Sequence, residues 1–155
     1  METVEQLLAI EQIKQLKARY FRFMDTRDWD GLRTIFCDDA TFDARASLSL
    51  SGKGESGRAA ESNDWVVEGG DAIVEFIRGA VGSSRTVHHG HGHEIEIVSA
   101  HEAKGVIAME DQIFDEDDRV STLHGCGHYH ETYRHVGRRW RIHTSRITRL
   151  HVDIG

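Results

Sequence analysis

The sequence reads as an α+β fold, with helices first and an antiparallel meander after them. Three observations carry this reading. Between residue 3 and about residue 24, apolar side chains recur every three or four positions, which is the period of a helix face. From Thr86 to the end the pattern changes to strand after strand, of which Glu94-Ile95-Glu96-Ile97-Val98 shows the clearest two-residue alternation. The connections in that half are only a few residues long, which suits hairpins and excludes parallel crossovers within the meander.

The elements follow in order. Leu7, Ile10, Ile13, Leu16, Tyr20 and Phe23 mark the core stripe of the first helix, and Glu2 and Glu5 sit at the end where the helix dipole favours acids. A turn at Asp25-Thr26-Arg27 ends it. Asp28 is placed to cap a short second helix carrying Trp29, Leu32, Ile35 and Phe36. Ala40 to Asp43 forms a short strand. Residues 45–64 are rich in Ser, Gly and Ala and read as a flexible loop, either a flap over a pocket or a surface insertion. Gly69, Gly70 and Asp71 open a third helix that runs to about Ala80 and buries Ile73, Phe76 and Ile77. Strands follow at 86–98, about 103–114, about 120–135 and about 138–152. Their turns lie at 99–102, at the acidic 115–118 and at Val136-Gly137.

Length and charge narrow the function. At 155 residues the chain suits one domain with a real core. A net charge of −7 argues against nucleic acid and anionic membrane as partners. No apolar run approaches membrane-spanning length, and the N-terminus lacks the pattern of a secretory signal. Cys37 and Cys126 are too few for a disulfide framework, so the expected setting is cytoplasmic.

Four features suggest chemistry. Asp25 lies where the first helix ends, facing the negative end of its dipole. Asp111 shares a strand face with Ile107, Met109 and Ile113, and an acid in that company needs a partner or a task. The third feature is TVHHGHGHEIEIV, which packs His88, His89, His91 and His93 into the mouth of a strand. With His124, Cys126, His128 and His130 they offer ligand types for zinc or iron, but neither HExxH nor a CxxC pair is present, and no metal site is assigned. The last strand carries Arg138, Arg139, Arg141, Arg146 and Arg149, any one of which suits an anionic intermediate. Strict alternation sets His88 on the face opposite Ile95 and Ile97, and Arg149 opposite Trp140. A β-bulge is needed to bring each inward; Gly90 and Gly92 supply a candidate for the first, and none is visible for the second.

Three segments, LKARYFRFMDTRDWDGLRTIFCDDATFD, TVHHGHGHEIEIVSAHEAKGVIAMED and GHYHETYRHVGRRWRIHTSRITRL, resemble the SnoaL-like branch of the nuclear transport factor 2-like superfamily over nearly the whole chain. The resemblance implies a long helix packed across a strongly curved antiparallel sheet, forming a cone with an internal pocket, and homodimers or larger homo-oligomers through the sheet's outer face. Within the superfamily the catalytic pattern is most similar to the bile acid 7α-dehydratases. That similarity falls on Tyr20 and Asp25 at the end of the first helix, His88 opening an HxGH element, Asp111 after a glutamate, and Arg149 nine residues past Trp140. Scytalone dehydratase, the dehydrochlorinases and the polyketide cyclases are more distant, and the dehydrochlorinases carry lysine where this chain has Tyr20.

The expectation is therefore a cofactor-independent lyase, dehydratase-like, acting on a small hydrophobic cyclic substrate, steroid-like or polyketide-like. His88 serves as base, Asp25 as its orienting partner, Tyr20 as donor, and Asp111 with Arg149 as positioning and charge-balancing groups. An isomerase or cyclase on the same site, or a non-catalytic binder of apolar molecules, are the alternatives.

Overall fold

The computed structural model describes residues 1–47, 63–116 and 121–154. Helix α1 (Thr3–Asp25) leads to the short α2 (Trp29–Arg33) and strand β1 (Phe36–Asp43). A single 3-10 turn and β2 (Val66–Glu68) precede α3 (Gly70–Val81). The meander β3 (Arg85–Ile97), β4 (Glu102–Phe114), β5 (Ser121–Val136) and β6 (Arg139–Asp153) completes the chain. Most of the expected loop 45–64, and residues 117–118 of the acidic turn, lie outside the described residues.

The six strands form one sheet in the order β2-β1-β6-β5-β4-β3, open at β2 and β3. The expected all-antiparallel sheet is corrected in one place, because β1 runs parallel to β6. Parallel neighbours need a long connection, and here everything from β2 to β5 intervenes. The short second helix also ends earlier than expected. Asp28 caps it through Gly31 N–H at 2.8 Å, but Phe36 already belongs to β1.

The buried stripe of α1 is rotated from the one read in sequence. Ala9, Ile13, Leu16, Lys17, Tyr20, Phe21 and Met24 face the sheet, whereas Leu7 is 62% exposed. A lysine inside the stripe disguises its true centre. This rotation matters, because it turns Tyr20 and Phe21 together toward β3 and β5 and leaves Asp25 at the edge of β3.

Bulges decide which side chains enter the core. The β3–β4 register shifts between His91 and Glu94, where Gly92 has φ +49°, a conformation glycine takes without a Cβ penalty. His88 therefore faces inward before the bulge, and Ile95 and Ile97 face inward after it. The same shift separates His93 from His89 and His91, which alternation alone would put on one face. In β6 the register shifts where Tyr133 pairs with Ile142 and Thr132 with Thr144, leaving His143 as the extra residue. Trp140 and Ile142 are buried before it, and Ser145, Ile147 and Arg149 after it. This second bulge brings Arg149 inward, and it has no glycine to announce it.

Candidate active site

Between α1, α3 and the inner face of the sheet lies a cavity of about 280 Å³. Its walls are largely apolar, with Phe42, Trp65, Phe76, Ile113, Leu123 and Ile147 among them. At one side Tyr20, His88, Asp111, Tyr129 and Arg149 also contribute to the lining. A larger open groove of about 770 Å³ crosses other parts of the sheet, and none of the five sequence-expected residues lines it.

The dyad forms because two local features coincide. His88 N–H points out of the sheet at the free edge of β3 and donates to Asp25 Oδ2 at 2.8 Å. The other oxygen of the same carboxylate meets His88 Nδ1 at 2.6 Å and accepts from Thr86 Oγ1 at 2.9 Å. Three contacts thus fix a carboxylate presented by the last residue of α1. Phe21 stacks on the imidazole, with ring centroids 6.2 Å apart and planes 11° from parallel. A Cβ on Gly90 would stand 2.5 Å from the Phe21 ring, so glycine is what lets that ring approach. On its far side the dyad adjoins an outer groove lined by Lys14, Arg22, His89, His91 and His93.

His88 and Asp111 are directly opposite on β3 and β4. Because His88 N–H points away from β4, theirs is the close, non-hydrogen-bonded kind of antiparallel pair. The result is 3.9 Å between His88 Nε2 and Asp111 Oδ2. Arg149 grips Asp111 with both ends of its fork, Nη1 to Oδ1 at 2.6 Å and Nη2 to Oδ2 at 2.9 Å. Its Nε donates to the Ser47 carbonyl at 2.7 Å. Burial opposes the Arg149 charge, yet the hydrogen bonds and charge of Asp111 outweigh it and raise its pKa. The pair lies across Gly125, where a Cβ would sit 2.5 Å from Arg149 Nη1.

Tyr20 is fully enclosed, and burial pushes its hydroxyl well above the ordinary tyrosine range. The ring of Tyr129 lies edge-on to it, with centroids 5.7 Å apart, and burial raises the Tyr129 pKa as well. Tyr129 also lines the cavity and was not singled out by sequence. Its signal was available: it alternates with Gly127 and Glu131 on the inward face of β5. Four of the five expected residues thus line one cavity, Tyr129 joins them, and Asp25 reaches it only through its contacts with His88.

The remaining histidines disperse. His124 pairs with Glu110 at 3.0 Å and His130 with Thr148 at 2.9 Å. The rings of His89 and His91 stand 6.3 Å apart and tilted, as do those of His128 and His130. Among the described residues no three His, Cys, Asp or Glu side chains gather as a metal site would require. No helix among them is long and apolar enough to cross a membrane.

Comparison with known proteins gives the geometry a context. A Gibberella zeae protein named "Probable cyclase FGR4" is 28% identical over 144 residues, covering 90% of this chain and 89% of that one. A Novosphingobium aromaticivorans structure described as a "Putative Scytalone Dehydratase" superposes with TM-score 0.79 at 18% identity, covering 99% of this chain and 92% of the other. The hexachlorocyclohexane dehydrochlorinase LinA-type3 of Novosphingobium barchaimii superposes with TM-score 0.75 at 15% identity, covering 99% and 94%. These likenesses show the fold. The SnoaL-like domain model matches residues 5–146, and the chain belongs to that family.

Proposed function

We propose that the protein is a cofactor-independent lyase that removes water, or another β-leaving group, from a hydrophobic cyclic substrate of steroid-like or polyketide-like type. The observation that carries this reading is the 2.6 Å contact of His88 Nδ1 with Asp25 at the wall of an apolar cavity. A carboxylate on Nδ1 favours the tautomer whose proton sits there, which leaves Nε2 as an acceptor. His88 takes a proton from the carbon next to the substrate carbonyl, and Asp25 stabilises the imidazolium that results. Tyr20, backed by Tyr129, donates to the carbonyl or departing oxygen as negative charge develops. The imidazolium then returns its proton to the leaving group, so base and acid are one side chain.

Asp111 faces the same imidazole from the opposite strand, and Arg149 balances its charge. Both ends of the Arg149 fork are committed to Asp111, so its role is to position that carboxylate and, through it, the substrate. A second reading is an isomerase or cyclase working with the same dyad, favoured by the relative named as a cyclase. The product separates the two, since a lyase product is lighter by the leaving group and an isomerase product has the mass of its substrate.

The test is a panel of hydroxylated cyclic ketones and thioesters, followed by mass spectrometry with the wild type and His88→Ala. Dehydrated product from the wild type, and on the order of 10²–10⁴-fold less from the variant, is the expected outcome. Equal turnover by both would end the proposal.

A further inference from the structure

Beneath the two tyrosines lies a charge pair that the proposed chemistry leaves unused. Lys17 is completely buried, and its Nζ stands 2.6 Å from Glu131 Oε1. Glu131 is held from two more sides, by Tyr133 Oη at 2.7 Å and Ser145 Oγ at 2.9 Å. The ammonium, in turn, lies 3.4 Å from the centre of the Tyr129 ring and 3.9 Å from that of Tyr20. Phe21, the ring stacked on His88, is its third aromatic neighbour at 5.0 Å. Neither Lys17 nor Glu131 lines the cavity, whereas both tyrosines do.

A buried ion pair is a poor source of stability, because desolvating two charges offsets most of their attraction. Apolar side chains would fill this volume at no greater cost. What the pair adds is a local dipole whose ammonium end lies against two phenol rings, while the Glu131 charge acts on Tyr20 in the opposite sense. A cation there pulls electron density from each ring, favours negative charge on the phenol oxygen and strengthens the hydroxyl as a donor. The Glu131 cradle, drawn from β5 and β6, keeps the ammonium in place.

We propose that Lys17, anchored by Glu131, is a positioning residue that holds the rings of Tyr20 and Tyr129 and polarises their hydroxyls toward an oxygen bound in the cavity. It acts through the rings and never touches substrate. The inference rests on the reading of the cavity given above, and it extends that reading to residues that do not touch the base.

The experiment is a cycle built on the neutral double variant K17M/E131Q, which removes both charges and leaves neither stranded. It is made in the wild type and in Y20F/Y129F, and each protein is checked for folding by thermal melting. Two readouts are taken: kcat and KM on the hydroxylated substrate that the wild type dehydrates, and the affinity of 4-nitrophenol, a single-ring oxygen probe whose absorbance reports hydrogen bonding. In the tyrosine background the charge removal is expected to lower kcat and weaken probe binding on the order of tenfold, about one pKa unit of donor strength. KM should change less than about twofold if the effect lies in the transition state. In Y20F/Y129F the same removal should change either readout less than about twofold. Equal losses in both backgrounds, or no loss in the first, would overturn the proposal. Probe binding needs no turnover, so the expected pattern in a chain that eliminates nothing would sustain this inference and refute the lyase reading.

Discussion

Replacing Arg149 by methionine isolates the strongest interaction at the site. The substitution keeps an unbranched stem about as long as arginine's up to Nε and removes the fork that closes on Asp111 at 2.6 and 2.9 Å. Both partners are nearly enclosed, with side-chain exposures of 4% and 7%. Stripping one member from a pair so buried strands the other, which typically costs about 3–5 kcal/mol. For a chain of this size, each kcal/mol lowers the melting temperature by roughly 2–4 °C, so Arg149→Met should melt about 6–20 °C lower. The carboxylate is the stranded group, and the double variant D111N/R149M removes its charge. It should therefore regain more than half of the lost stability, while its turnover remains low because the group facing His88 has changed. Thermal melts by circular dichroism on the wild type, the single and the double variant decide this. A single variant within about 2 °C of wild type, or a double variant as unstable as the single, would mean that the Arg149–Asp111 pair is not what holds the site together.

Other outcomes follow from the same geometry. Gly125→Ala puts a methyl 2.5 Å from Arg149 Nη1 and 2.7 Å from Asp111 Oδ1, so urea unfolding should show a loss of about 1–3 kcal/mol with reduced activity; an unchanged midpoint would mean the pair can move aside freely. Asp25→Asn can still accept from the His88 N–H, so the fold should persist while kcat falls on the order of 10²–10⁴-fold, and a loss under threefold would count against Asp25 as partner of the base. Burial lowers the Lys17 pKa to about 8 from an ordinary 10.5, against the opposing pull of Glu131. Between those values the unfolded chain binds a proton that the folded one lacks, so this group's unfavourable contribution at neutral pH fades as pH rises. Unfolding free energies at pH about 8 and about 10, referred to K17M/E131Q, should show the wild type gaining over that interval; a flat difference would refute the direction. Above pH about 10 the buried Tyr20, Tyr129 and Tyr133, pushed up by burial, act in the opposite sense, because only the unfolded chain ionises them.

Much of this site was legible because chemistry left marks in local pattern. Asp111 stood out as an acid among Ile107, Met109 and Ile113, and Asp25 as an acid at a helix end. The four strands of the meander were readable to within a residue or two, since their turns are short and polar. What stayed hidden depends on long-range packing. The Lys17–Glu131 pair joins α1 to β5 across the interior, and each residue alone reads as solvated surface. The same lysine masked the true stripe of α1, so Phe21 and Met24 were missed and Leu7 was wrongly placed inside. The inward turn of Arg149 rests on a bulge at His143, and a bulge with ordinary residues has no signature in sequence. The parallel β1–β6 pairing likewise arises from tertiary contact between distant segments.

As the proposed orienting partner of the base, Asp25 holds a proton on Nδ1 of His88 and so offers an unprotonated Nε2 to the cavity. Long-range proton–nitrogen correlation spectra of ¹⁵N-histidine protein at pH about 8, with the His88 signals identified by their absence from His88→Gln, read that tautomer directly. The proposed mechanism requires a proton on Nδ1, slow to exchange in the wild type and released in Asp25→Asn. A proton on Nε2 in the wild type, or the same tautomer and exchange with and without the Asp25 carboxylate, would contradict it.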